Sequence, residues 1–503
     1  MEQNKRYWNA LFGAICLIYV FLRFWHLTNS CLWFDEIFGV HAAAQNWSNL
    51  IFFVAQDLIH PPLFYILLKV WIIIGGESLL WLRSFPVVFA ILALFPFFHI
   101  CRALKLNQTA ISAALLFFAA NGALIKYAQE VRMYSLLLCF SLASIWLFIR
   151  VLNLGKSFTA LVIINILLVY THYFGWFVVG SEVVAVLFLR RGKIRQILLM
   201  LAITFVSFAP WVFAVWRASK INADVGHNIG WQSRPNAAAI FQFALDLVEP
   251  LYFQASSIDS ASLYYISIPL LLIVAAAKIF YLLHWKNRSE MEKRGLYLLA
   301  LFTAAPILLA AAASWIFPYS IWGTRHLIIA FAPAMILAAK FLTEIEIKPL
   351  KTIFLILTAA FYVLAFLINL QTGEPRYIWC AWENFAPRLA SSPNKKIYAF
   401  EDLNAYHLWF ATRSIENAQI IRVEDAEGIV EDKAYFLPRG FDAVQTVSEN
   451  EMTGERFFVA FRDVTWNEKH PPLRRLIEKG YHIGEPQVYE AQGLKAFLVE
   501  VSK

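Results

Sequence analysis

The sequence predicts a polytopic α-helical membrane protein that ends in a small α/β domain. Of its 503 residues, 60% are hydrophobic and the mean hydropathy is +0.57, whereas soluble domains are about 45–50% apolar. Apolar segments long enough to cross a bilayer, about 20 residues each, recur as far as residue 370. After residue 370 charged residues become frequent, and short alternating runs typical of strands replace the long apolar segments.

About eleven segments are predicted to span the bilayer. The first follows a basic N-terminus and has no small-residue cleavage site after it, so we expect a retained helix and not a removed signal peptide. The number of spans depends most on how the short hairpin over 157–189 is interpreted. The predicted spans are 7–27, 80–101, 108–127, 133–151, 157–171, 173–189, 197–217, 262–284, 295–316, 325–343 and 350–370.

Clusters of lysine and arginine predict the orientation of these spans. The basic clusters fall on one side, whereas Asp35, Glu130 and Arg325 fall in the alternate connections. Because basic loops face the cytoplasm, we expect a multi-pass protein of the cytoplasmic membrane with a cytoplasmic N-terminus and its acids outside. The same clusters account for the net charge of +8 and the pI of about 9.1, so nucleic-acid binding is not expected.

Two units are predicted along the chain. Residues 1–370 form a transmembrane unit, whose first external loop, 28–79, carries two apolar stretches, Phe38–Val54 and Leu63–Ile74, that are interrupted by polar residues. Such stretches are typical of helices that lie in the membrane interface. A twelfth span over 62–76 is the alternative, but it would invert the orientation of the basic residues that follow.

Residues 371–503 are predicted to form an external soluble α/β domain. Alternating apolar runs predict strands at 396–400, 434–437, 456–461 and 496–501, and helices are expected at 404–413 and 472–479. The five cysteines show neither metal-binding nor disulfide spacing. Cys31 and Cys380 would both lie outside and could form a bridge, but free thiols are the expectation.

Asp35 and Glu36 stand just past the first predicted span. In one interpretation they anchor the first external loop through a salt bridge to Arg23 or Arg83. In the other they take part in catalysis, because a carboxylate shielded from bulk water binds protons more strongly and can deprotonate an acceptor hydroxyl. The dipeptide alone does not decide between these interpretations.

Four further motifs are predicted on the same face. His60-Pro61-Pro62 begins a turn, since paired prolines forbid a continuous helix; the histidine could donate to a phosphate oxygen, and Lys69 lies two turns beyond. Glu130 is flanked by Lys126 and Arg132, a combination that could bind an anionic group or a metal ion.

The other two motifs lie in later external turns. Tyrosine and tryptophan are common at membrane interfaces whatever the function of the protein. In Tyr170–Trp176, His172 is therefore the residue that points to a functional site. Arg325, followed by His326, could snorkel towards water or clamp a lipid phosphate with two hydrogen bonds.

In this order the motifs resemble those of the bacterial GT-C glycosyltransferases. More narrowly, they are similar to the branch related to the dolichyl-phosphate-mannose protein mannosyltransferases (glycosyltransferase family 39) and the lipid A aminoarabinose transferase. The resemblance covers roughly residues 7–345 and is strongest over 30–180. The motifs are Trp33-Phe34-Asp35-Glu36, His60-Pro61-Pro62-Leu63-Phe64-Tyr65, Arg83-Ser84-Phe85-Pro86, Tyr127-Ala128-Gln129-Glu130-Val131-Arg132-Met133-Tyr134 and Tyr170-Thr171-His172-Tyr173-Phe174.

The resemblance implies a GT-C fold and an inverting glycosyltransferase. Such an enzyme moves a hexosyl or pentosyl group from a polyprenyl-phosphate donor, of the undecaprenyl-phosphate type, to a lipid, glycan or protein acceptor on the external face of the membrane. By the same implication Asp35 is the base, Glu130 is a second carboxylate, and His60 and Arg325 serve the donor phosphate. The aminoarabinose relatives carry lysine at the His60 position.

The motifs and the resemblance together give a predicted site. No cofactor is assigned, and a divalent cation held by Asp35 and Glu130 is left open. The predicted catalytic residues are Asp35, Glu36 and Glu130; the residues for the donor phosphate are His60, Lys69, Arg132, Arg325 and His326; and the residues that line the substrate cavity are Tyr65, Tyr134, His172 and Tyr173.

Two other functions are weighed against this one. A flippase or transporter of lipid-linked sugars would need charges near the bilayer midplane and two related halves, but the halves show no symmetry and Glu182 is the candidate mid-span acid. An O-antigen ligase or polymerase would have one dominant external loop in the middle of the chain, and the loop over 218–261 is modest.

Overall fold

Helices make up most of the chain up to Gln371, and a mixed sheet with helices follows. The computed structural model describes residues 2–220, 230, 232–251, 260–371, 376–424, 437–438, 441–467, 471–491 and 493–503. Up to Gln371 the described helices are α1 (Glu2–Phe24), α2 (Phe34–Ala44), α3 (Trp47–Asp57), α4 (Leu63–Gly75), α5 (Leu79–Leu92), α6 (Leu94–Ala103), α7 (Gln108–Ala120), α8 (Gly122–Gln129), α9 (Tyr134–Leu154), α10 (Phe158–Thr171), α11 (Gly175–Leu189), α12 (Ile194–Ser219), α13 (Ala237–Asp246), α14 (Ser260–Leu283), α15 (Glu290–Ile316), α16 (Phe331–Thr343) and α17 (Lys348–Gln371).

The chain is a multi-pass membrane protein. In the described residues, eight helical segments are long and apolar enough to cross a bilayer: Arg6–Phe24, Leu79–Ala103, Tyr134–Leu154, Arg191–Ser219, Tyr264–Leu283, Glu290–Ile316, His326–Thr343 and Lys348–Gln371. These agree with eight of the predicted spans. The remaining three predicted spans contain the shorter apolar helices α7, α10 and α11, of 13, 14 and 15 residues. At 1.5 Å per residue each is roughly 20 Å long, so the count of eleven stays a prediction.

Helix breaks in the first external loop and after α7 follow from capping residues. Asn46 accepts a hydrogen bond from the backbone N–H of Asn49 and so begins α3, which divides the predicted Phe38–Val54 helix into two. Asn121 likewise accepts from the N–H of Leu124 and begins α8 directly after α7. Each break turns the chain at one end of the helical bundle.

The part of the chain after residue 375 contains a mixed seven-stranded sheet. The strand order is β3-β2-β1-β4-β7-β5, with β6 on β7; the first four strands are parallel, whereas β7 runs antiparallel to β4, β5 and β6. The strands are β1 (Lys396–Ala399), β2 (Gln419–Glu424), β3 (Gln445–Ser448), β4 (Arg456–Asp463), β5 (His482–Ile483), β6 (Gln487–Ala491) and β7 (Leu494–Ser502), and the helices are α18 (Ala381–Ser391), α19 (Asp402–Thr412) and α20 (Pro471–Glu478).

The sheet lies between two apolar layers. Ile397 and Ala399 of β1 pack in one cluster with side chains of α18 and α19, whereas Tyr398 packs in another with Leu473 and Leu476 of α20. This alternation of faces is the period of two that predicted the strand. The α/β class of this region, and with it the predicted fold class, is therefore confirmed.

Individual elements of this region agree with the sequence prediction to different degrees. The predicted strands at 396–400, 456–461 and 496–501 correspond to β1, β4 and β7, and the two predicted helices to α19 and α20. Most of the predicted strand at 434–437 lies outside the described residues. The strands β2, β3, β5 and β6 and the helix α18 were not predicted. The four strands are short or lack a clear alternation, and α18 contains Pro387, which is unfavourable inside a helix.

A disulfide joins this region to the first external loop. Cys31 is bonded to Cys380, with their Cα atoms 5.6 Å apart and a sequence separation of 349. The expectation of free thiols is wrong for this pair, since the fold alone brings the two residues together. Cys16, Cys101 and Cys139 are free.

Candidate active site

Asp35 lies in the first turn of α2 between two arginines. Its Oδ2 is 3.3 Å from Nη1 of Arg325 and 3.9 Å from Nη2 of Arg132, and the carboxylate side chain is 21% exposed. Nη1 of Arg132 also donates to the backbone carbonyl of Asp35 at 3.1 Å. One carboxylate therefore faces two guanidinium groups, which leaves a net positive charge that suits a phosphate.

Glu36, the next residue, is turned into the protein and is fully buried. Its Oε2 accepts from Nη2 of Arg83 at 3.1 Å and from the N–H of Trp33 at 3.0 Å, and its Oε1 accepts from the N–H of Val131 at 2.8 Å. Both oxygens are thus engaged in fastening α2 to α5 and to the segment after α8. The geometry gives Glu36 a structural role, and we do not carry its predicted catalytic role forward.

Arg23 and Arg83, the two arginines predicted as salt-bridge partners of the acidic pair, make different contacts. Arg83 makes the buried pair with Glu36 and also donates to the carbonyls of Leu27 and Cys31 at 2.9 and 3.0 Å. Arg23 instead donates to the carbonyls of Phe118 and Ala119, at the end of α7. Those carbonyls lack helical partners because α7 stops there.

His60 positions Arg132. Its Nε2 lies 3.2 Å from Nη2 of Arg132, and its Nδ1 lies 2.8 Å from Oδ2 of Asp57. A guanidinium group only donates, so Nε2 accepts, Nδ1 carries the proton and donates to Asp57, and the ring is neutral. Burial, together with the charge of Arg132, holds the pKa of His60 well below its usual value. In this state both ring nitrogens are engaged by Arg132 and Asp57, whereas the sequence prediction had His60 donate to a phosphate oxygen.

His60 begins a row of three buried histidines. The ring centroids of His60 and His172 are 5.9 Å apart, and those of His172 and His326 are 5.1 Å apart. Nδ1 of His172 accepts from the N–H of Phe174 at 3.1 Å, so its proton is on Nε2. Burial and the neighbouring His60 keep the pKa of His172 low. Neutral histidines of this kind can exchange hydrogen bonds with an uncharged hydroxyl.

Two tyrosines near the arginines have hydroxyl groups without partners. Tyr65 and Tyr134 are fully buried, and within the described parts of the chain neither hydroxyl makes a hydrogen bond. Nε of Arg132 is unpartnered in the same way. Because buried polar groups are normally hydrogen-bonded, these atoms are available to a polar ligand or to water.

Lys69 and Tyr173 lie apart from this group. Nζ of Lys69 donates to the carbonyl oxygens of Ala43, at 3.0 Å, and Gln45, so it caps the end of α2 opposite Asp35, roughly 12 Å along the helix. The hydroxyl of Tyr173 accepts from Nε1 of Trp211 at 3.1 Å and joins the start of α11 to α12. Their predicted roles in the site have no support in these contacts.

Glu130 is a half-buried carboxylate just after α8. Among the described residues its side chain makes no hydrogen bond or ion pair. Burial raises the pKa of Glu130 to about 7, an effect that nearby Lys126 opposes and Glu36 reinforces. A carboxylate with a pKa near neutrality is suited to accept a proton from a substrate.

The sequence prediction missed a second acid near Lys126. The segment after α13 docks on the break between α7 and α8, where the N–H of Gly122 donates to the carbonyl of Glu249 at 3.0 Å. Burial, with the nearby charge of Asp246, raises the pKa of Glu249 to about 8, whereas Lys126 lowers it. A Cβ on Gly122 would lie 2.1 Å from the carbonyl of Leu251, so this docking requires glycine. The sequence carried two signals, the Asn121-Gly122 pair and the position of Glu249 in the predicted external loop over 218–261, which could cover the cavity.

The donor set does not favour a metal ion between Asp35 and Glu130. In the described chain, no group of three or more histidine, cysteine or acidic side chains could hold one. Asp35 is moreover flanked by two guanidinium groups, whose charges would repel a cation. We therefore derive no step through a metal.

Comparison with known proteins identifies the fold. No protein-family model and no curated protein matches the sequence. Among solved structures, the chain is similar to ArnT from Cupriavidus metallidurans in the apo state, with a TM-score of 0.64 over 99% of this chain and 98% of that one, at 13% identity. The chain has an ArnT-like GT-C fold.

Other solved GT-C structures agree. ArnT from Cupriavidus metallidurans bound to undecaprenyl phosphate gives a TM-score of 0.60 at 14% identity, over 98% of both chains. The archaeal oligosaccharyltransferase AglB from Archaeoglobus fulgidus, in complex with an inhibitory peptide and a dolichol-phosphate, gives 0.51 at 13% identity over 81% of this chain and 64% of that one. At these identities the GT-C fold is what the proteins share, and the fold predicted from the motifs is confirmed.

Proposed function

We propose that the protein is a glycosyltransferase that moves a sugar from a polyprenyl-phosphate donor to an acceptor hydroxyl. The observation that carries the proposal is Asp35 held between Arg132 and Arg325, in a fold similar to that of a protein solved with undecaprenyl phosphate bound. The two cations can stabilise a departing phosphate, and the carboxylate can remove the proton of an attacking hydroxyl.

In this mechanism the donor phosphate replaces Asp35 as the anion bound by the two arginines. The phosphate binds the guanidinium groups of Arg132 and Arg325, and Asp35 is freed from its ion pairs. The freed carboxylate removes the proton of the acceptor hydroxyl as its oxygen bonds to the anomeric carbon. The bond from that carbon to the phosphate oxygen breaks, and the arginines stabilise the negative charge that collects on the phosphate.

A single displacement of this kind inverts the anomeric carbon. Only one bond to that carbon forms while another breaks, so no covalent sugar–enzyme intermediate is needed. Glu130 supplies a second carboxylate with a pKa of about 7, available to pass the proton on to water. The unpartnered hydroxyls of Tyr65 and Tyr134 would donate to phosphate or sugar oxygens.

An apolar cavity suits the lipid part of the donor. It has a volume of about 140 Å³ and is walled by α7, α13, α14, α16 and α17, including Leu247, Leu270, Met335 and Tyr362. Leu247 immediately follows Asp246, whose carboxylate accepts from Thr324 next to Arg325. The wall of the cavity at Leu247 is therefore next in sequence to a residue that contacts the turn before Arg325, and this supports the cavity as a place for the polyprenyl chain.

Two features support an extracytoplasmic active site. The basic clusters predict that the ends of the helices near Asp35 face outward. The Cys31–Cys380 disulfide lies at the same end, and disulfides persist in oxidising compartments and are rare in the cytosol. We propose accordingly that residues 371–503 form a domain on the external side.

The test is a panel of polyprenyl-phosphate sugars. Purified protein would be incubated with each donor and a membrane extract as the source of acceptors, and release of polyprenyl phosphate would be measured. We expect release from at least one donor, and the same rate from a control variant, Glu290→Gln, at an exposed acid far from the site. Failure to release polyprenyl phosphate from any donor would refute the proposal.

A further inference from the structure

The helix that carries Asp35 is fastened at both ends to the C-terminal α/β region. Cys31, just before α2, is disulfide-bonded to Cys380, and its backbone N–H points at the sulfur of Cys380 at 3.3 Å. In the last turn of α2, Nδ1 of His41 lies 2.9 Å from the hydroxyl of Tyr406 in α19. One link is covalent and the other is a buried hydrogen bond.

Aromatic packing fills the space between these two links. The ring of Phe34 lies edge-on to Tyr406 with centroids 5.4 Å apart, and the ring of His41 lies 4.8 Å from Trp409 and 5.1 Å from Phe441. Tyr406 and Trp409 are themselves stacked at 5.6 Å. Tyr406 is fully buried in the same cluster as the apolar side chains of α2. This is a packed interface and not a loose contact.

The two faces of α2 have different tasks. Phe34 and His41 are seven residues apart, so they lie on one face of the helix, two turns from each other. Asp35 is rotated by about 100° from Phe34 and contacts Arg132 and Arg325. The C-terminal region therefore holds one face of the helix while the other presents the carboxylate.

We propose that the C-terminal region is a positioning element for Asp35, and that the Cys31–Cys380 disulfide makes this positioning dependent on oxidising conditions. The proposal rests on the proposed function, because it assigns Asp35 a reacting role. Reduction would remove the one covalent link at the N-terminal end of α2 and leave that end held by non-covalent contacts of Phe34, Asp35 and Glu36. A misplacement of about 1 Å can cost a reaction up to about 100-fold, so a small shift of α2 is enough.

The first measurement compares turnover with and without reductant. In the wild-type protein we expect reduction to lower kcat by about tenfold with little change in the KM of the donor. Cys31→Ser/Cys380→Ser should be slow in both conditions and insensitive to reductant. Cys16→Ser, which removes a free thiol, should respond as the wild type does. Unchanged kcat in both the reduced wild type and the double variant would overturn the proposal.

The second measurement does not depend on activity. Hydrogen exchange of the peptide that covers Phe34–Ala44 should increase on reduction, whereas exchange in Tyr134–Leu154 should not. Tyr406→Ala should raise exchange at the same peptide, and Tyr406→Phe, which keeps the ring, should raise it less. If no donor is turned over, the proposed function fails, but this measurement still decides whether α2 is held by the C-terminal region; equal exchange before and after reduction would contradict it.

Discussion

At the scale of single residues, the candidate site depends on how neighbouring side chains divide their tasks. Asp35 and Glu36 are adjacent, yet one is partly exposed between two arginines and the other is buried in a structural network. Successive residues of a helix point about 100° apart, so the two had to differ. The sequence could not say which faced the cavity, because Arg23 and Arg83, in the spans on either side of the loop, were candidate partners for both acids.

The first prediction concerns Arg325. Arg325→Lys keeps the positive charge but loses the planar group that can bind two phosphate oxygens at once. We expect the KM of the donor to rise by about tenfold, with a smaller change in kcat, in a steady-state assay of polyprenyl-phosphate release. The control is Arg474→Lys, at an exposed arginine on α20 that pairs with its helix neighbour Glu478. Equal KM values for the two variants would contradict a phosphate role for Arg325.

The second prediction concerns pH and Glu130. Burial raises the pKa of this carboxyl to about 7, so its protonated form dominates below that pH and its carboxylate above it. If the carboxylate accepts the proton, kcat/KM should rise as the pH increases through about 7, and Glu130→Gln should flatten this limb. A variant that lowers the rate equally at every pH would instead indicate a structural role.

At the scale of secondary-structure elements, the sequence predicted where helices occur better than where they break. The long apolar helices were found with nearly the observed bounds, because hydrophobic length is a direct requirement of the bilayer. The breaks at Asn46 and Asn121 were not, since each depends on one capping side chain within an apolar run. The break at Asn121 also creates the docking place for Glu249, which is why that acid was missed.

The third prediction concerns the mid-span acid of α11. Glu182 is fully buried, and its Oε2 accepts from Nδ2 of Asn165 at 2.7 Å. Oγ of Ser144 lies 2.7 Å from Oε1 of Glu182 and 2.6 Å from Oδ1 of Asn165. Ser144 has one hydrogen for these two contacts, and an acid proton on Glu182 supplies the second. Glu182→Gln should therefore be nearly neutral for transfer, whereas Glu182→Ala should destabilise the protein by about 1–3 kcal/mol, measured as thermal unfolding in detergent.

The hydrogen bonds among Glu182, Ser144 and Asn165 also bear on the transporter hypothesis. A carboxylate on a transport path would face a cavity or a water-filled route, but Glu182 is enclosed by three helices. Loss of activity in Glu182→Gln, with normal unfolding, would contradict the purely structural role assigned to it.

At the scale of the whole molecule, the order of the motifs predicted which residues lie at the same end of the helical bundle, but it did not predict which of them contact each other. Asp35, Arg132, His172 and Arg325 come from distant parts of the chain, yet the alternation of membrane spans requires all four at one end of the bundle. Strand order, the Cys31–Cys380 pairing and the contact of α2 with α19 join residues hundreds of positions apart. Nothing in local patterning encodes such pairs, so only the structure gives them.

The fourth prediction concerns orientation. A periplasm-dependent reporter such as alkaline phosphatase, fused after Lys503, should be active, and a cytoplasm-dependent reporter at the same position should not. The physical reason is that disulfides persist in oxidising compartments and that basic loops face the cytoplasm, so both features predict an external C-terminal region. The opposite pattern of reporter activity would overturn the external position of both the site and the C-terminal region.

The most direct test of the central claim compares the wild type with Asp35→Asn. This substitution removes the base but keeps the shape of the side chain, so we expect turnover to fall by about 10²–10⁴-fold while donor binding is retained or tightened, because the arginines lose a competing anion. Release of polyprenyl phosphate and equilibrium binding of the donor would be measured on the same preparation. Wild-type turnover in Asp35→Asn would contradict the assignment of Asp35 as the base.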